Sequence, residues 1–339
     1  MTPPRVLGHE ALWASLAAAY RIGRLGHAYL CSGPRGVGKF TFARELARTL
    51  LCDARSAKFE ACGRCDACLL VDAGTHPDLF LTGRPDDVLE LPIATIQELL
   101  GNLSLKPARG GRKIAIVDDA DDLNEASANC FLKTLEEPPP ASLLILIGGP
   151  DAERQLPTIL SRCQLLRFMP LAPDLLNRVL ELNGVADASR RTRLLRLANG
   201  CPGQALALDD DEIWNFRGEL LNWLGSERFD PRETAKRWQQ FIDESGKEAA
   251  AHRQRASLIL RMLIGMLEAA LKIAAGATAP DLDAAEARIL TQLAARLGED
   301  RLLAWIDRTL QADMHIDRRV QLVLAMEGFI DASSRIAMT

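Results

Sequence analysis

The segment Gly33-Pro34-Arg35-Gly36-Val37-Gly38-Lys39-Phe40 follows a short apolar run over residues 28–32 and opens a helical pattern, the context that a phosphate loop requires. Its glycines let backbone N–H groups curl around an anion at a helix N-terminus, and Lys39 has the reach for the outer phosphates. Further short β-rich runs at residues 79–81, 114–117, 143–147 and 165–168 alternate with helical segments up to about residue 170. That alternation predicts an α/β domain, a parallel sheet covered by helices. A glycine-rich turn without a ligand is the other reading of the same residues. One position departs from the phosphate-loop pattern: Phe40 stands where a Ser or Thr hydroxyl coordinates Mg²⁺, and Thr41, one helical step round, points elsewhere.

After Pro170 the strand pattern stops. Short helices are expected from Leu171 to about Leu208, then long helices broken at Gly225, at Gly246, at residues 276–280 and at Gly298. The predicted division is therefore residues 1–170, 171–208 and 209–339. A chain of 339 residues, 48% hydrophobic and 25% charged, has ample core for two or three domains. Its formal net charge of −4 gives no overall drive toward nucleic acid, so any DNA contact must be local or shared with partners. Residues 1–5 have no apolar signal core, and the longest apolar stretch, 258–275, carries Arg261, Glu268 and Lys272, which argues for a buried helix over a membrane span. A cytoplasmic protein is expected. The stretch 258–267 is apolar nearly all round, which requires cover on more than one side, from an independent bundle or from other subunits.

Two groups carry further chemistry. The strand candidate at 114–117 ends in Asp118 and Asp119, as in a segment that holds a metal's water shell through Asp118; a solvated acidic turn running on through Asp121 and Asp122 is the alternative. Cys52, Cys62, Cys65 and Cys68 form C-x9-C-x2-C-x2-C, and two C-x2-C steps sharing Cys65 can wrap one ion while the fourth sulfur completes a closed tetrahedral zinc site. Ordinary reduced thiols or a redox pair are the competing readings, and a redox pair leaves two of the four unexplained. Cys31, Cys130, Cys163 and Cys201 have no partner spacing and read as packing residues.

Several runs taken together resemble the bacterial clamp-loader subunits of the AAA+ class. They are Gly26-His27-Ala28-Tyr29-Leu30 before the loop, the cysteine group, His76-Pro77-Asp78, the run from Asn129 through Lys133-Thr134-Leu135-Glu136-Glu137-Pro138-Pro139, and Leu156-Pro157-Thr158-Ile159-Leu160-Ser161-Arg162-Cys163. The resemblance covers residues 5–205 and implies an AAA+ P-loop domain, a small helical lid and an all-α collar that joins five subunits, with residues 316–327 resembling its last helix. It implies a nucleotide-binding set of Gly33, Gly36, Gly38, Lys39, Thr41 and Asp118, a structural zinc on the four cysteines, and Arg162 as an arginine finger presented to ATP on a neighbouring subunit. The implied partners are gamma/tau and delta subunits in a hetero-pentamer and, through the complex, the sliding clamp and primed DNA, with no membrane.

Four departures at the hydrolytic site set this chain apart from the family's ATPase subunits. Phe40 removes the magnesium hydroxyl, Asp119 replaces a glutamate, Gly148-Gly149 stands where a polar sensor is usual, and Gly203 takes the position of a second-sensor arginine. Losing one charge-stabilising contact costs on the order of a hundredfold, so several together imply negligible turnover by this chain, with ATP binding left open. Ser161-Arg162-Cys163 is intact; capping of a local helix or pairing with a nearby carboxylate is the alternative role for Arg162.

The remaining features have plain readings. Arg190, Arg191, Arg193 and Arg196 alternate with leucines as a solvated helix face. Residues 209–212 cap the helix that follows, His27 is a satisfied structural histidine, and Trp214, Trp223, Trp238 and Trp305 are core or subunit contacts.

Overall fold

A computed structural model of the chain describes residues 7–85, 88, 90–109, 111–150, 156–226, 230–277, 282–318 and 320–338. Residues 1–5, residues 278–280 of the predicted break and Arg319 lie outside the described residues. Two compact units, Met1–Ala207 and Leu208–Thr339, divide the chain.

The first unit is built on five parallel strands, β1 (Ala28–Ser32), β2 (Leu79–Thr82), β3 (Lys113–Val117), β4 (Ser142–Ile147) and β5 (Gln164–Arg167), in the order β2-β3-β4-β1-β5. β4 is central and β1 lies between it and the edge strand β5, with Leu30 opposite Leu146 on one side and Leu165 on the other. Every residue of β1, β3 and β4 is buried, which is why these strands read as unbroken apolar runs and not as alternating ones. The connecting helices are α1 (Glu10–Arg21), α2 (Lys39–Leu51), α3 (Asp66–Asp72), α4 (Ile93–Ser104), α5 (Glu125–Glu136) and the single turn α6 (Pro157–Leu160). On one face Leu30, Val117 and Leu146 pack with Ile96, Leu99, Phe131 and Ile159, and on the other Phe42 meets Trp13 and Phe168 edge to face. Beyond the sheet come α7 (Pro173–Leu182), α8 (Ala188–Leu197) and α9 (Pro202–Ala207), within the same unit.

The arginines of α8 do not form a uniform solvated face. Arg193 and Arg196 are exposed, whereas Arg191 donates from Nε to Asn177 and from Nη1 to the carbonyls of Val185 and Ala186, and pairs with Glu181 at 2.9 Å. It ties α8 to the end of α7, a role that period alone does not reveal because its partners lie in the preceding helix and turn.

The second unit is wholly helical among the described residues: α10 (Asp211–Gly225), α11 (Pro231–Asp243), α12 (Ala249–Ala274), α13 (Ala284–Asp317) and α14 (Leu322–Met338). Asp210 caps α10 by accepting the Glu212 N–H, and Gly298, at φ 68°, breaks α13 in two. The apolar helix α12 is covered by α10, α11 and α13 of its own unit, with Ile259, Leu260, Leu263 and Leu267 fully buried. Trp223 packs against Trp238 and Trp305, and Trp305 donates to Ser333 Oγ at 3.0 Å. Residues 316–327 are not one helix. Ile316 and Asp317 finish α13, the Arg318 and Val320 amides close that end onto the Met314 and His315 carbonyls, and α14 starts afresh at Leu322. No described helix is long and apolar enough to cross a membrane.

Candidate functional site

The phosphate loop joins β1 to α2. Gly36 and Gly38 have φ of 76° and 108°, a left-handed backbone that a side chain resists, and Gly38 delivers the chain directly into the first turn of α2. Lys39 folds back on the loop: its Nζ donates to the Gly33 carbonyl at 2.6 Å and to the Pro34 carbonyl at 2.9 Å, and the residue is 7% exposed. Burial lowers its pKa, against the raising influence of Asp118. Phe40 and Thr41 are both exposed, with no hydroxyl at the step where magnesium coordination would need one.

The start of α9 closes on this loop. The Gly203 N–H donates to the Gly36 carbonyl at 2.8 Å, and Gln204 Nε2 donates to the Arg35 carbonyl at 3.0 Å. A Cβ at residue 203 would stand 2.9 Å from Gly36 Cα, so this close backbone approach requires glycine there.

The acidic turn after β3 lies against the same loop. Asp118 accepts the Asp119 N–H through its own Oδ1 at 3.0 Å, and Asp119 adopts a left-handed φ of 53°, uncommon for a residue with a side chain. Burial, then the neighbouring Asp119, raises the pKa of Asp118. Asp121 Oδ2 accepts the Gly149 N–H at 2.5 Å, and the Gly149 carbonyl in turn accepts the Gly33 N–H at 2.9 Å. Asp122 pairs with Arg84 at 3.0 Å, yet burial pushes its pKa up to about 6. Gly33, Gly36, Gly38, Lys39 and Asp118 are thus gathered at one end of the sheet. Sequence reasoning missed that Asp121 and Gly149 join β4 to the turn after β3, because nothing local in either segment signals the pairing.

The four cysteines converge at the far end of α2. Cys52 follows the last residue of that helix and Cys65 precedes the first residue of α3, while Cys62 and Cys68 lie in the intervening turn and within α3. Their sulfurs all lie within 4.8 Å of one another, and Cys52 Sγ is 3.8 Å from Cys65 Sγ. Four thiolates around one zinc at about 2.3 Å stand about 3.8 Å apart at tetrahedral angles, so the donor set fits that ion. The Cys62 N–H donates to Cys52 Sγ at 3.3 Å and the Cys65 N–H to Cys62 Sγ at 3.4 Å, a pattern that suits sulfur carrying negative charge. Backbone amides of Arg64 and Cys65 bring the Cys62 thiol down to about 6, while burial raises Cys52 and Cys68. Of the other four cysteines, Cys31 and Cys201 are fully buried.

Arg162 lies elsewhere, just after α6. Its Nε and Nη2 donate to Glu136 Oε1 at 3.0 and 2.6 Å, and Nη1 donates to the Thr158 carbonyl at 3.0 Å and to Ser161 Oγ at 3.1 Å. A helix-end carbonyl and a carboxylate, the two local partners that the sequence offers for this residue, are therefore both engaged. Glu136 itself was not singled out in the sequence, although the prolines at 138 and 139 mark it as the end of a helix. His27 has the structural role expected of it, with Nε2 2.9 Å from the Leu135 carbonyl at that same helix end.

The model for the family described as DNA polymerase III, delta subunit, matches residues 8–172. The delta' subunit of DNA polymerase III from Pseudomonas aeruginosa is 35% identical over 213 residues, covering 62% of this chain and 63% of that protein. The Escherichia coli delta' subunit is 34% identical, covering 62% of each chain. The Escherichia coli tau subunit is 32% identical over 303 residues, covering 84% of this chain and 46% of that protein. The chain spans between about a third and just under two thirds of the length of the curated relatives it matches. Among solved structures, a DNA polymerase III gamma subunit-related protein from Thermotoga maritima aligns over 95% of this chain and 99% of that chain, with TM-score 0.45 and 16% identity. By its family match over residues 8–172 and by relatives of both the delta' and tau kinds, the chain is similar to subunits of DNA polymerase III.

Proposed function

We propose that the chain is a non-hydrolysing, delta-prime-type subunit of a DNA polymerase III clamp loader, which supports loading of the sliding clamp on primed DNA and lends Arg162 to ATP bound by a neighbouring gamma/tau subunit. The observation that carries this reading is the contrast between a phosphate loop closed on itself and an arginine at the surface. At the loop, Lys39 is engaged by the Gly33 and Pro34 carbonyls, and α9 touches Gly36 at a point where an arginine side chain from position 203 has no room. Phe40, Asp119 and Gly149 remove three further contacts of a hydrolytic centre, and each such loss costs about a hundredfold. Arg162 keeps the planar fork that matches phosphate oxygens.

Within that reading the four-cysteine module holds a structural zinc, and residues 209–339 form a collar that binds the gamma/tau and delta subunits of a hetero-pentamer. Leu303, Leu310 and Met314 of α13 and Leu324 of α14 are large apolar side chains exposed on this unit, which supports an interface there. The test is reconstitution with gamma and delta subunits, comparing clamp loading with and without this chain. Loading that depends on the chain supports the proposal; equal loading without it contradicts it.

A second reading, a gamma/tau-type ATPase subunit, draws on the retained Lys39, the left-handed glycines of the loop and the tau relative that aligns over 84% of this chain. ATP hydrolysis by the purified chain that disappears in Lys39→Ala selects it.

A further inference from the structure

Glu136 ends α5 and Arg162 follows α6, and each is anchored from behind. The prolines at 138 and 139 stop α5, so Glu136 is its last residue. That last turn is fixed, since Leu135 is 3% exposed and its carbonyl meets His27 Nε2. On the other side Ile159 is fully buried, and the Arg162 and Cys163 amides both donate to the Ile159 carbonyl. Between these mounts the guanidinium is gripped on two edges: Nε and Nη2 by one oxygen of Glu136, Nη1 by Thr158 and Ser161. A side chain with four rotatable bonds is thereby held in one orientation at the surface.

Resting on the arginine-finger reading above, we infer that Glu136 is the positioning residue for Arg162: its carboxylate orients the fork before the neighbour's triphosphate arrives, so that little ordering remains when phosphoryl transfer begins. A cation aimed in advance stabilises developing charge without reorganisation, whereas a freely rotating one must be ordered first. The structural source of the inference is that one carboxylate oxygen bonds two adjacent nitrogens of the fork, which fixes the plane of the guanidinium and not merely its location.

The experiment uses the reconstituted hetero-oligomer with wild-type chain, Glu136→Ala, Glu136→Gln, Arg162→Ala and the Glu136→Ala/Arg162→Ala pair, reading kcat and KM for DNA-stimulated ATP turnover. Misaiming a positioned group predicts that Glu136→Ala lowers kcat roughly tenfold with KM for ATP within about twofold. Glu136→Gln, whose carboxamide oxygen still accepts from Nε and Nη2, is expected to restore kcat to within about threefold of wild type. In the pair, removing Glu136 should add nothing to the loss already caused by Arg162→Ala. A drop in kcat for Arg162→Ala with none for Glu136→Ala overturns the positioning role and leaves the finger standing; a rise in kcat for Glu136→Ala shows a restraint in place of a guide and overturns it equally. No effect of Arg162→Ala removes the finger reading itself. Thermal melting of Glu136→Ala, on a side chain that is 54% exposed, is expected to match wild type, and a large loss of stability would reduce Glu136 to a structural part.

Discussion

Lys39 and Arg162 are both cations beside a short turn in the same unit, and they are held in opposite ways. Lys39 is 7% exposed and bonds neutral carbonyls of its own loop, with burial working against its charge. The Arg162 side chain is 33% exposed and shares its charge with a carboxylate that is itself more than half exposed. A buried ammonium satisfied by backbone has little reason to leave. A half-solvated ion pair contributes roughly 0 to 1 kcal/mol net, so the Arg162 fork can take a stronger anion at small cost. The difference teaches that the loop is closed toward its own chain while the arginine end remains open to an outside partner.

Removing the proposed zinc should produce the largest change, and it should fall on the loop side. The helix α2 runs from Lys39 to the cysteine module, and Arg44 ties it to α3 by donating to the Asp72 carbonyl at 2.6 Å. Structural zinc contributes on the order of 10 kcal/mol in small zinc domains. Elemental analysis is expected to find one zinc per chain, and chelation or Cys65→Ser should raise hydrogen exchange in α2 and α3 while sparing α5 and α6. Equal loosening at both places would erase the distinction between the two regions.

Next in size is the arginine itself. With Arg162→Ala in the assembled complex, a fall in ATP turnover on the order of 10³-fold is expected, with normal assembly by size exclusion. The α9 contact offers a smaller effect. Gly203→Ala places a methyl 2.9 Å from Gly36 Cα, and overpacking against backbone should lower stability by about 1–3 kcal/mol, read as a lower denaturant midpoint. An unchanged midpoint would mean that α9 yields easily and that the loop is less firmly closed than its hydrogen bonds suggest.

The smallest expected effect is a pH dependence in the acidic turn. Burial holds the folded-state pKa of Asp122 at about 6, above its unfolded value near 4. A raised carboxyl pKa means that the folded state binds the proton more tightly. Its contribution is therefore fully present below pH 4 and is lost as the pH rises through 6. Urea midpoints of wild type relative to Asp122→Asn should fall across that window and run parallel above it; parallel curves throughout would show that Arg84 fully compensates the burial.

Much of this arrangement was legible in the residues because its signals are local. Strands buried on both faces leave continuous apolar runs, so the five strands of the sheet were read to within a residue at each end. Cysteine spacing marked the module because two C-x2-C steps can close only on a nearby centre. Contacts between distant segments leave no such trace. Nothing around Gly203 announces that it abuts Gly36, nothing around Glu136 names Arg162, and the arginine run of α8 conceals the inward tie made by Arg191. The break between α13 and α14 has no local signal, because residues 318–321 of the sequence include neither glycine nor proline.

The most direct test measures ATP hydrolysis by the purified chain alone and by the reconstituted complex, each with wild type and Arg162→Ala. The account predicts no turnover above background for the isolated chain and turnover in the complex that collapses with Arg162→Ala. Robust hydrolysis by the isolated chain, together with a complex indifferent to Arg162→Ala, would contradict it.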